Sequence, residues 1–110
     1  MHYLQDMILS MNRIAEYMGS KTYDEFRRNY LVVDAIVRNF EIIGEAAKNV
    51  PEEIKSSYPK VPWKKMIGLR NLISHEYFGL DYEMLWKVAT ESIPENKRDI
   101  ENIIFDLKGE

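Results

Sequence analysis

The chain is predicted to fold as a single all-α domain, an up-and-down bundle of four or five helices. Three observations carry that prediction: apolar residues recur at three- and four-residue spacing over most of the length, helix start and stop signals punctuate them, and no alternating β-branched run lies between turn signals. At 110 residues the chain can close one hydrophobic core but hardly two, so residues 1–110 are read as one domain.

The first helix is expected from about Tyr3 to Met18, with Leu4, Met7, Met11, Ile14 and Met18 on one stripe and Gly19-Ser20 as its stop. A second is expected to start at Thr22-Tyr23-Asp24-Glu25, a capping-box pattern, and to run unbroken to about Lys48. Its seam of Phe26, Tyr30, Val33, Val37, Phe40, Gly44 and Ala47, widened by Val32, Ile36 and Ile43, calls for more than one neighbour. Pro51 suits the first turn of a short helix that Pro59 ends. Pro62 then opens a helix through Trp63, Met66, Ile67, Leu69 and Leu72-Ile73, stopping around Phe78-Gly79. Asp81 can cap a final helix, which Pro94 kinks or splits before Ile100, Ile103, Ile104 and Leu107 resume the pattern. Short connections favour antiparallel neighbours.

Composition narrows the function. Apolar residues at 45% and charged residues at 30% describe a folded chain rather than a disordered one. The absence of cysteine excludes disulfides, thiolate metal sites and thiol nucleophiles together, and fits a reducing compartment. No leader-like start and no apolar run near the roughly 20 residues of a membrane span is seen, so a cytoplasmic protein is expected. A net charge of -3 argues against bulk coating of nucleic acid, yet every formal charge from Ile54 through His75 is positive (Lys55, Lys60, Lys64, Lys65 and Arg70). The segment from Asp81 to Glu110 is acidic.

Chemistry concentrates in Arg70-Asn71-Leu72-Ile73-Ser74-His75-Glu76-Tyr77. His75 is the one histidine away from the chain start, and its near-neutral pKa range suits general acid or base work. Arg70 is a permanent cation with a planar donor fork suited to phosphate; Asn71 and Tyr77 add polar reach. The plainer reading is that Arg70 pairs with a carboxylate, His75 is a satisfied polar residue at a helix end, and Tyr77 packs its ring. On a straight helix Arg70 and His75 stand about 140° apart around the axis and about 7.5 Å along it, so a phosphodiester site is better formed where two copies of this helix meet. That geometry points to a homodimer with a composite site.

Weaker constellations surround this segment. Glu41 and Glu45 have helical metal-ligand spacing but no accompanying ligand motif, and a solvated face or pairing with Arg38 or Lys48 is preferred. Lys60, Lys64 and Lys65 interleave with Trp63 and Tyr58 and are candidates to steer and stack an RNA strand, or else an ordinary exposed face beside a buried Trp. No Gly-rich phosphate loop, serine-nucleophile elbow or zinc-ligand spacing is present, so no metal site and no cofactor is expected.

At Arg70-x4-His75-x-Tyr77 the sequence resembles the HepT-like toxins of the HEPN superfamily. Upstream, Arg38-Asn39-Phe40-Glu41-Ile42-Ile43-Gly44-Glu45-Ala46-Ala47-Lys48 looks like that family's long central helix, and Val61-Pro62-Trp63 and Gly68-Leu69-Arg70-Asn71 like its lead-in to the motif. Gly79-Leu80-Asp81, Leu85-Trp86 and Ile93-Pro94 fit downstream, so the resemblance spans essentially the whole chain. It implies a dimeric, metal-independent endoribonuclease of a type VII-like toxin–antitoxin pair. In it His75 acts as general acid or base, Arg70 stabilises charge on phosphorus and Asn71 orients substrate or the catalytic pair. It also implies a minimal nucleotidyltransferase antitoxin that transfers AMP to Tyr77. The superfamily includes non-catalytic members too, so a helical binding module partnering a nucleotidyltransferase is the alternative.

Overall fold

A computed structural model describes residues 2–70 and 81–109. Among them every regular element is helical, in agreement with the all-α prediction. The elements in chain order are α1 (His2–Met18), α2 (Tyr23–Arg28), α3 (Tyr30–Asn49), α4 (Glu52–Ser57), α5 (Trp63–Gly68), α6 (Tyr82–Lys87), a π-helical turn (Val88–Ser92) and α7 (Ile93–Lys108). None is long and apolar enough to cross a membrane.

The bundle is built on α1 and α3. The stripe Leu4, Met7, Met11, Ile14 and Met18 of α1 is buried throughout, against Val33, Ile36, Phe40, Ile43 and Ala47 of α3 and Ile100 and Ile103 of α7 in a single core. Tyr3 and Asp6 share one cavity with Glu45 and Asn49, so the start of α1 meets the end of α3 and the pair runs antiparallel. Gln5 and Ile8 likewise share a recess with Ile104 and Lys108, which sets α7 antiparallel to α1. Gly19 ends α1 at φ 49°, a left-handed conformation that glycine adopts without a Cβ penalty.

The single long helix expected from Thr22 to Lys48 is two helices. The capping box forms as the pattern requires, with the Glu25 backbone N–H donating to Thr22 Oγ1 and the Thr22 N–H to Glu25 Oε1. Asn29 then breaks the run at φ -102°, ψ 89°. Its backbone N–H donates to the Phe26 carbonyl, closing α2, while its side-chain oxygen accepts from the Val32 N–H, opening α3. Asparagine competes with helical bonding in this way because its short amide reaches the backbone two or three residues on. The break resets the helical register, and Tyr30, placed in the buried seam by the sequence pattern, is 72% exposed. Trp86 of α6 fills the corner so made, with ring contacts to Tyr23 at 5.7 Å and Phe26 at 5.6 Å.

Pro51 is the N-cap of α4 rather than a residue of its first turn. Asp81 caps α6 as expected, its Oδ1 accepting from the Met84 N–H at 3.1 Å. The expected final helix is divided just before Pro94, α6 and α7 being separated by the π turn, in which the Ile93 N–H bonds the Val88 carbonyl five residues back. A proline ring collides with the carbonyl four residues before it, and a π turn moves that carbonyl aside.

Replacing Asn29 with Ala removes a cap shared by two helices. Urea unfolding of Asn29→Ala is expected to show about 1 kcal/mol lost, the usual cost of an N-cap.

Candidate active site

Arg70 owes its position to a helix–helix contact at Gly44. A Cβ built on Gly44 would lie 3.0 Å from the Arg70 backbone nitrogen, 3.0 Å from the Ile67 carbonyl oxygen and 3.2 Å from the Arg70 Cβ. Two of those atoms are backbone, so the turn after α5 rests directly on α3. The helix expected to run from Pro62 to around Phe78-Gly79 closes at Gly68, with the Leu69 N–H bonding the Met66 carbonyl and Leu69 and Arg70 in a turn; the rest of that expected span lies outside the described residues. Met66 and Leu69 are buried beneath it, fixing that turn to the core.

From there the Arg70 side chain reaches back over α3. Its Nη1 lies 3.2 Å from Glu45 Oε2, both side chains about half exposed at 41% and 56%. A pair this open to water contributes at most about 1 kcal/mol. It orients the guanidinium without sequestering it, and an incoming phosphate can compete for the same donors. The surrounding cavity of about 390 Å³ is formed by Tyr3 and Asp6 of α1 and Arg38, Glu41, Ile42 and Asn49 of α3. Two arginines thus face three carboxylates. Glu45, expected on a solvated face or paired with Arg38 or Lys48, is half exposed and pairs with Arg70, which was itself expected in the plainer reading to meet a carboxylate; only the fold shows which carboxylate approaches.

The remaining sequence candidates divide. Asn71, His75 and Tyr77 lie outside the described residues, as does the straight-helix geometry between Arg70 and His75. Lys60, Lys64 and Lys65 are exposed, but Lys60 and Lys65 line a different cavity from Arg70, so the basic island of the sequence does not gather around it. Trp63 is 8% exposed and its Nε1 donates to the Tyr58 carbonyl at 3.0 Å. Its ring belongs to the core, which removes the stacking face that an RNA-contacting role needs.

The family model of HepT-like ribonucleases matches residues 7–103, most of the chain and both flanks of the Arg70 turn. The chain belongs to the HepT-like ribonuclease family. Relatives agree over nearly full length. A provisionally named RNase of Methanocaldococcus jannaschii is 40% identical over 98% of this chain and 89% of its own length. One of Caldanaerobacter subterraneus is 34% identical over 93% and 91%, and a provisionally named HepT ribonuclease of Thermococcus cleftensis 36% identical over 92% of both. No solved structure matches the chain significantly. In this HepT-like chain the expected arginine of the family motif is therefore the residue that Gly44 and Glu45 hold in place.

The contact at Gly44 gives a sign test. Alanine in an open helix position would stabilise by about 1 kcal/mol over glycine, whereas crowding two backbone atoms costs about 1–3 kcal/mol. Urea unfolding of Gly44→Ala is expected to show net destabilisation of about 1 kcal/mol; a gain in stability would mean that the turn does not rest on α3.

Proposed function

We propose that this HepT-like chain is a metal-independent endoribonuclease of the cytoplasm, acting as a homodimer whose two copies line one RNA cleft. The observation that carries the reading is family membership over nearly the whole chain together with an intact Arg70-x4-His75-x-Tyr77 pattern. The 2'-hydroxyl of the RNA attacks the adjacent phosphorus and the bond to the 5'-oxygen breaks, leaving a cyclic phosphate and a 5'-hydroxyl end. His75 takes the proton from the 2'-hydroxyl or gives one to the leaving oxygen. Arg70, leaving Glu45, neutralises charge on the phosphoryl oxygens in the transition state, and Asn71 orients substrate or the catalytic pair. This chemistry needs no metal, because the nucleophile is part of the substrate.

The same reading makes the chain the toxin of a type VII-like toxin–antitoxin pair. Its antitoxin is a minimal nucleotidyltransferase, which joins AMP from ATP to the Tyr77 phenol oxygen and releases pyrophosphate. The added phosphate and adenosine would fill the space that substrate phosphate needs. One observation favours the rival reading of a non-catalytic binding module partnering such a nucleotidyltransferase: Arg70 is paired with Glu45 in a cavity with three carboxylates. The two readings part on activity.

Purified chain in EDTA is expected to cut RNA to products with 5'-hydroxyl ends, and His75→Ala to be slower by at least about 10²-fold with unchanged helical content. Incubation with ATP, magnesium and a minimal nucleotidyltransferase is expected to stop cleavage and add the mass of AMP at Tyr77. Absence of cleavage by wild-type chain, with tight binding of the nucleotidyltransferase, would establish the module instead.

A further inference from the structure

Of the two arginines that line the cavity beside α3, only Arg70 is paired. Arg38 is exposed, and among the described residues it forms no ion pair. Carboxylates are not lacking around it. Asp34 stands four residues before it and Glu41 three after it on α3, at the spacings that pair on a helix, and Asp6 and Glu45 line the same cavity. None of them holds the Arg38 guanidinium, whose planar donor fork is left to an anion from outside the chain.

The position of Arg38 relates it to Arg70. Glu45, whose Oε2 lies 3.2 Å from Arg70 Nη1, is seven residues beyond Arg38 on α3, about 10.5 Å along the helix axis and about 20° around it. Arg38 and the Arg70–Glu45 pair thus share one exposed stripe of α3. A single strand laid along that stripe brings one phosphate to Arg70 and a neighbouring one to Arg38. Charge favours the use of both. Asp6, Glu41 and Glu45 against Arg38 and Arg70 leave the cavity one formal negative charge, and without Arg38 it would carry two. That much carboxylate repels phosphate, and Arg70 is engaged by Glu45 in the free chain, so the unengaged fork of Arg38 is the one a strand can meet first.

We propose that Arg38 is a substrate-binding residue, docking an RNA phosphate that flanks the one on which Arg70 acts. The proposal rests on the ribonuclease reading for its ligand, but its test measures binding and not cleavage. Affinity of the full chain for an uncleavable 2'-O-methyl RNA oligonucleotide is measured by calorimetry between about 50 and 200 mM salt. Arg38→Gln is expected to weaken binding about tenfold at the lower salt. It is also expected to make the slope of log affinity against log salt shallower by about 0.7, the share of one phosphate contact on a single strand. Arg38→Lys, which keeps the charge, is expected to keep the slope. Arg27→Gln, which removes an exposed cation of α2, is expected to leave affinity and slope at wild-type values. An unchanged slope in Arg38→Gln overturns the proposal, as does an equal change in Arg27→Gln or a wild-type chain that binds no RNA. Light scattering that shows Arg38→Gln dissociating a wild-type dimer would assign Arg38 to the second copy and overturn it too. Wild-type chain that binds RNA without cutting it would sink the ribonuclease reading alone, the slopes still deciding for or against Arg38.

Discussion

The close approach of α5 to α3 at Gly44 is the constraint on which the site depends. With a side chain there, the turn that carries Arg70 would have to stand off from α3 by several tenths of an ångström. Without one, the Arg70 backbone sits against the helix, and its guanidinium reaches Glu45 one residue further along. The rest of the bundle supports that contact. The stripe of α1 holds α3 in place, and Met66 and Leu69 anchor the turn from below. The core is thus closely packed beneath the site, while the arginine itself stays half in water. Such a division suits a residue that must hold its place without substrate and yet exchange one anion for another when substrate arrives.

Much of the fold was legible because its signals are local. The stripe of α1, the capping box at Thr22 and Glu25, and the Asp81 cap each depend on residues within one or two turns, and each forms as the pattern indicates. The break at Asn29 was missed although its signal was also local, because the apolar spacing on both sides ran on as though unbroken. Hydrophobic periodicity outweighed a capping asparagine in the reading; in the structure the cap wins, and Tyr30 turns outward. At Pro94 the pattern indicated a disturbance but not its form, since a kink and a π turn answer the same steric collision.

The site was legible in part. Arg70 stood out by residue type and by its place in the family pattern, but its partner did not, because pairing with Glu45 is set by how two helices cross. Conversely, charge clustering along the chain suggested one basic surface, and the fold puts Lys60 and Lys65 on a different cavity from Arg70. Trp63 shows the limit of reading an aromatic among lysines as a stacking platform: its spacing equally suits a core residue, and its indole N–H is spent on Tyr58.

The central claim is that Arg70, held by Glu45 in the free chain, acts on phosphate during catalysis. Single-turnover RNA cleavage by Arg70→Lys in EDTA tests it most directly. Lysine keeps the charge and can keep the ion pair with Glu45, but it lacks the planar fork that meets two phosphate oxygens at once. A fall of about 10²-fold or more in rate with unchanged stability is the result expected if the guanidinium stabilises the transition state. Wild-type rates in Arg70→Lys would contradict the account and leave Arg70 as a structural partner of Glu45.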